Sequence, residues 1–322
     1  MSTSSAVAPP RRHAKRYRAP APLGGRRRPP GGGRRGRVAA AFLLPASAIL
    51  VAFVGWPIVS VVWLSFTDAS GLGQSSWVGL ANYREIFADD DIRTAVTNTV
   101  VYTVMFTPVV VLLALGLALL MNSPRLPLRS ALRTALFMPV VVSLGVVAIA
   151  WSYLLDPNIG LLDHWLGKVG LNIGNVLEDP TWAMPAVVGV AVWKNVGFYM
   201  VIFLAGLQGI PRHLYEAARV DGAGRWQSFR RVTLPMLSNT TAFVLIIAVI
   251  AALQAFDQIY VMTAGGPYRK TTTIVMQIYE SGFTDLRLGF ASALSLLLLA
   301  ATLILSALQL LFFGRREKDV AG

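Results

Sequence analysis

Six apolar runs, each long enough to cross a lipid bilayer, set the possible folds of this 322-residue chain. They extend from about Val38 to Phe66, Val96 to Met121, Ala135 to Leu155, Met184 to Leu207, Leu237 to Met262 and Leu288 to Phe313. A membrane helix needs about 20 mostly apolar residues, and a buried helix of a soluble domain is usually shorter. Hydrocarbon leaves every backbone N–H and C=O to be satisfied within the protein, so runs of this length and character predict helices. Only 14% of the residues are charged, against about 25% in soluble domains. The expectation is an all-α membrane protein with six transmembrane helices. Pro45, Pro57, Pro108, Pro139, Pro185 and Gly197 interrupt several runs. Such breaks are ordinarily tolerated in membrane helices, and they can also open a central cavity.

Charge sets the orientation. Eleven Lys/Arg lie between Arg11 and Arg37, in a Pro/Gly-rich stretch without apolar period. It reads as a disordered basic tail, residues 1–37, on the cytoplasmic side of the first span. With that side inside, inside segments carry 22 Lys/Arg and outside segments 6, with Lys194 left within a span. Both termini, including a C-terminal tail at 314–322, are therefore expected in the cytoplasm of a multi-pass plasma-membrane protein. The net charge of +13 belongs largely to the tail. That argues against nucleic acid and allows contact with anionic lipid. The first run and its basic leader are too long for a cleaved signal peptide, so the run should be retained. Cysteine is absent, and His13, His164 and His213 lack metal-ligand spacing.

One polar, Arg-rich island interrupts this apolar background, Glu216-Ala-Ala-Arg-Val-Asp-Gly-Ala-Gly-Arg-Trp-Gln-Ser-Phe-Arg-Arg-Val-Thr-Leu-Pro235. It falls between the fourth and fifth runs, on the cytoplasmic side. Pro211 suits a helix first turn, and Pro211 to Val220 gives about two and a half turns. Glu216 and Arg219 can pair at i,i+3. Ala217 and Ala218 keep the helix thin. Asp221-Gly222 predicts a turn with positive φ at the glycine. A second helix can run from Gly224 towards Val232, with Leu234-Pro235 ending it. Two short helices at a fixed angle would suit a docking element, and a plain cytoplasmic hairpin has the same pattern. No G-x-x-x-x-G-K-[ST] phosphate-binding pattern occurs. If ATP is used, a partner must bind it.

These residues resemble the coupling ("EAA") loop in permease subunits of binding-protein-dependent ABC importers, at Glu216, Ala217, Ala218, Asp221, Gly222, Ala223, Phe229 and Pro235. Asn239 stands where that family often has a second proline. Trp77-Val-Gly-Leu-Ala-Asn-Tyr83, Asp156-Pro-Asn-Ile-Gly-Leu-Leu162 and Thr263-Ala-Gly-Gly-Pro267 resemble outside loops of the maltose/glycerol-phosphate group, first permease of the pair. The resemblance covers about Val38 to Phe313 and implies an ABC type I importer-like permease domain for a sugar or sugar-like solute. It also implies a second permease, a dimer of ATPase subunits carrying the ATP and magnesium, and an extracytoplasmic solute-binding protein. This chain would bind no cofactor and perform no bond chemistry.

An ionisable group within a span is a functional candidate, since inserting one costs about 2.5–3.5 kcal/mol. Lys194 and Asp257 qualify. Asn195 and Tyr199 stand at i,i+4 beside Lys194, and Gln254 and Gln258 at i,i+4 beside Asp257. Planar polar groups and aromatic faces are what a carbohydrate needs, and the resembled family places substrate contacts in these two spans. Ser143 and Trp151 in the third run are further candidates. Lys194 and Asp257 can equally pair with each other as structure, or Lys194 can snorkel to an interface.

Overall fold

Helices carry all six runs, but two of the runs do not make one straight helix each. The structure, a computed structural model, describes residues 32–321 apart from 72, 74, 124–125 and 169–173. Only the backbone is described at 32–40, 163–164, 166–167 and 314–321. Residues 1–31 of the expected basic tail lie outside the described residues, as does Gly322.

The chain divides at Trp56. In the first unit the helix Gly32–Leu50 starts six residues before the expected first run and continues into a wider helical turn, Val51–Gly55. Phe42, Leu43 and Phe53 are exposed on it. The candidate span is Ala41–Leu64.

The second unit, from Pro57, holds the remaining runs. The second span is the helix Asp90–Asn122. Asp89 caps it, its carboxylate accepting from the Asp91 and Ile92 amides at 2.8 and 3.4 Å. Asp90 and Asp91 sit in the first turn, where the helix dipole favours negative charge. At the other end Arg133 donates to the Met121 carbonyl at 3.0 Å.

The third run is broken. Arg129–Val141 and Leu144–Leu154 meet at 98°. Pro139 is near the corner, and Ser143 begins the second half. The fourth span, Ala183–Gln208, is the most buried of the candidate spans and packs against the second span and the first half of the third. Gly197 makes that second contact possible. A Cβ there would overlap the Leu136 carbonyl oxygen and come within 3.0 Å of the Phe137 Cα. Backbone cannot swing aside as a side chain can, so Gly197→Leu is expected to prevent stable folding, with loss of the protein from the membrane fraction. Gly206 makes room for side chains instead, with Thr240 Oγ1 2.6 Å from a Cβ built there.

The fifth run departs furthest from the single helix expected over Leu237–Met262. Ser238–Leu253 is regular, Gln254 to Phe256 leave the helix, and Asp257–Met262 resumes it. The Ala255 carbonyl at this break accepts from the Thr273 hydroxyl at 2.9 Å. A partner far along the chain thus satisfies backbone that lipid could not. The sixth span occupies Leu288–Phe313 of the helix Leu288–Ala321. That helix continues through the expected C-terminal tail. Tyr102, Phe106, Val187, Met200, Phe203, Leu237 and Ile259 form the centre of the core, drawn mainly from the second, fourth and fifth runs.

Candidate functional site

The Arg-rich island folds as two helices joined by a closed turn. The first is Arg212–Val220, with Pro211 just before it at ψ 132° rather than inside its first turn. It ends in a Schellman motif. The Ala223 amide donates to the Ala218 carbonyl at 2.8 Å, and the Gly222 amide to the Arg219 carbonyl at 3.1 Å. This closure needs positive φ at one residue, and Gly222 supplies it at +76°. The Gly224 amide then donates to Gln227 Oε1 at 3.0 Å, opening the second helix.

That second helix does not stop at Leu234. After Arg225–Ser228 it widens over Phe229–Thr233, where the Leu234 amide reaches back five residues to the Phe229 carbonyl. It then continues through Leu234–Met236 and bends at Leu237. Pro235 would otherwise collide with the carbonyl four residues earlier, and the wider turn accommodates its ring. This corrects the expectation that Leu234-Pro235 ends the helix. The bend to Ser238–Leu253 is 65°.

The two helices are clasped by Tyr215 and Thr233, whose hydroxyls lie 3.0 Å apart. Ala218, Ala223 and Phe229 are half-buried towards this clasp, while Glu216, Ala217, Asp221, Gly222 and Pro235 are exposed. Phe229 also packs against Trp226, with centroids at 5.5 Å. Val220 and Trp226 project outward, 88% and 70% exposed. The expected Glu216–Arg219 pair does not form. Arg219 Nε instead faces the Tyr215 carbonyl at 3.4 Å. Among described residues the ion pairs are Arg269–Asp91, Arg269–Glu280 and Arg287–Glu85.

The intramembrane candidates separate into two groups. Lys194 donates to the Val140 carbonyl at 3.4 Å. It thus places a cation at the C-terminal end of the first half of the broken run, where the helix dipole is negative. Asp257 is exposed and makes no direct ion pair with Lys194. We expect Lys194→Met to lower the thermal midpoint of the purified protein by several degrees, while Lys194→Arg retains most of it. Equal midpoints for all three proteins would remove the capping role.

Asn195 is half-buried and its side-chain amide donates to the Ala191 carbonyl of its own helix at 2.8 Å. Tyr199 is only 3% exposed and belongs to the core. The shared face expected for Gln254 and Gln258 does not form, because the helix breaks between them. Gln254 and Asp257 are exposed, while Gln258 is 2% exposed and donates to the Tyr102 hydroxyl at 2.7 Å. Ser143 is exposed at the 98° corner, and Trp151 meets Trp193 edge-on at 5.5 Å.

Sequence reasoning missed an aromatic ladder beside Asp257. Phe256, Tyr260, Tyr279 and Phe283 follow one another at centroid distances of 5.1 to 5.3 Å. The i,i+4 spacings of Phe256 with Tyr260 and of Tyr279 with Phe283 were the available signal. Tyr260 and Phe283 are exposed, which leaves part of the ring surface uncovered.

The three loop motifs are structural clasps. Asn82 donates to the Ser65 and Thr67 carbonyls at 2.9 and 2.8 Å, Tyr83 donates to the Ser65 hydroxyl, and Trp77 stacks on Phe66. Nearby, two bonds from Ser76 hold the Asp68 carboxyl below the usual range. Asp156 accepts the Asn158 and Ile159 amides in an Asx turn. In the third loop, Thr263 and Thr271 share a hydroxyl contact at 2.7 Å, and Thr271 donates to the Gly266 carbonyl. No group of three or more His, Asp and Glu suited to a metal occurs among the described residues.

Residues 86–318 match the sequence profile of the family described as binding-protein-dependent transport system inner membrane component. The sulfoquinovosyl glycerol transport system permease protein SmoG of Agrobacterium fabrum is 34% identical over 285 residues, 88% of this chain and 91% of its own. The sn-glycerol-3-phosphate transport system permease protein UgpA of Yersinia pestis is 34% identical over 280 residues, covering 86% and 94%. A chain from the crystal structure of a bacterial ABC transporter involved in the import of the acidic polysaccharide alginate is 26% identical. It superposes with a TM-score of 0.79 over 88% of this chain and 96% of its own. The alginate transporter in complex with an alginate pentasaccharide-bound periplasmic protein matches with a TM-score of 0.76 at 26% identity, covering 89% and 96%.

Proposed function

We propose how this chain, which belongs to the inner membrane components of binding-protein-dependent transport systems, performs its part of import. It pairs with a second, related permease to form an alternating-access pathway for a sugar or sugar-like solute. An extracytoplasmic binding protein delivers that solute. The helix pair at 212–236 docks on a separate ATPase subunit, and ATP and magnesium bind there rather than on this chain. Both termini face the cytoplasm, a reading supported by the excess of Lys/Arg in the segments it places on that side.

The observation that carries this reading is the rigidity of the helix pair together with its exposed tip. The Schellman closure, the Gln227 cap and the Tyr215–Thr233 clasp hold two short helices at one angle, and Val220 and Trp226 stand out from them. An apolar patch exposed at a polar surface is a common mark of a partner interface. A rigid element there can pass a tilt of the ATPase to the fifth span, whose helix Ser238–Leu253 begins just after it. The substrate candidates are Asn195, Tyr199, Gln254, Asp257, Gln258, Ser143 and Lys194. Of these, Gln254, Asp257 and Ser143 are exposed, and Asp257 adjoins the aromatic ladder.

Affinity purification of the tagged chain from its native membrane, followed by mass spectrometry, tests the assembly. A second permease and an ATPase should accompany it. Recovery of the chain alone, even after cross-linking through the 212–236 helices, would overturn the proposal.

A further inference from the structure

A cleft of about 380 Å³ lies behind the clasped helices, between them and the ends of the second and fourth spans. Its floor includes Leu119 and Leu207 from those spans, and its wall carries Arg219, Arg225, Asn122 and Ser228. Among the described residues no carboxylate lines it, so Arg219 and Arg225 border a cavity without an acidic partner on its described walls. Val220 and Trp226, the exposed tip residues, do not line it.

We propose that this cleft holds the headgroup of an anionic phospholipid. Position and chemistry converge on that occupant. The ends of two spans place the cleft at the level of lipid headgroups. Guanidinium groups and neutral donors recognise phosphate oxygens, and the Leu119–Leu207 floor accepts the glycerol and first methylenes of the chains. A headgroup seated there bridges the span ends to both coupling helices. Lipid composition then influences how firmly those helices are braced.

The test uses the full chain with its co-purifying subunits, reconstituted in nanodiscs of phosphatidylcholine containing a minority of phosphatidylglycerol. Native mass spectrometry after release counts retained phosphatidylglycerol. The Arg219→Gln/Arg225→Gln variant is expected to retain about tenfold less than the unaltered protein. The Arg212→Gln/Arg230→Gln variant removes the same charge from cytoplasmic positions outside the cleft and should retain it normally. If the first double variant fails to fold, Arg225→Gln alone should show a partial loss. Equal loss from both double variants would reduce the effect to diffuse surface charge and overturn the site. Release of the lipid by inorganic phosphate would make it a free-anion site instead. A cross-link from Ser228→Cys to a protein subunit, in place of lipid, would also overturn the proposal.

Discussion

Gly222→Val stops uptake while the chain remains in the membrane at its normal level; this is the expected result at the tip of the helix pair. Gly222 holds φ +76°, and no heavy atom lies within 4 Å of a Cβ built there. The obstacle is therefore backbone conformation and not crowding. A β-branched residue in the left-handed region costs about 1–2 kcal/mol, and the turn can avoid that cost by opening. Opening it releases the Ala223–Ala218 and Gly222–Arg219 bonds that fix the angle between the helices. Binding-protein-stimulated ATP hydrolysis should fall at least about tenfold. Gly222→Asn should be much milder, because asparagine tolerates this region. Glu216→Lys should also stop uptake through a different cause, reversal of charge on the exposed docking face. Membrane-fraction immunoblots alongside uptake separate coupling from folding. Normal uptake in Gly222→Val and Glu216→Lys would return the helix pair to a plain hairpin.

Asp257→Ala should act on the cargo and leave assembly intact. Asp257 opens the short helix Asp257–Met262 and is exposed beside the aromatic ladder, next to the break that also exposes Gln254. A carboxylate accepting two sugar hydroxyls contributes charge-assisted hydrogen bonds, so its loss is expected to raise the KM for uptake about tenfold or more. It should also alter the order of preference among sugars. Co-purification of the ATPase and its basal hydrolysis should not change. An unaltered transport profile would leave Asp257 as a structural group.

Much of this was legible because local chemistry determined it. The six apolar runs needed only length and composition. The turn at Asp221-Gly222 followed from the need for a residue at positive φ. What could not be read were features created by contacts distant in sequence. The break at Gln254–Phe256 contains neither proline nor glycine; it is stabilised by Thr273, eighteen residues beyond the Ala255 carbonyl it serves. Because that break was hidden, Gln254 and Gln258 were placed on one face, although they diverge. Pro235 misled for a related reason: a wide turn of five residues lets the helix pass through it. Lys194 was visible as a charge in a span, but its neighbour, the Val140 carbonyl, exists only because the third run folds back at 98°.

The chain has no cysteine, so a single one introduced at the tip reports from one place. Val220→Cys and Trp226→Cys, each carrying a short thiol-directed cross-linker in intact membranes, test the docking role most directly. The expected product joins this chain to an ATP-hydrolysing subunit, with a yield that changes when nucleotide is added. Absence of that product from both positions, in membranes that still take up cargo, would contradict the claim that the 212–236 helices transmit the work of ATP hydrolysis.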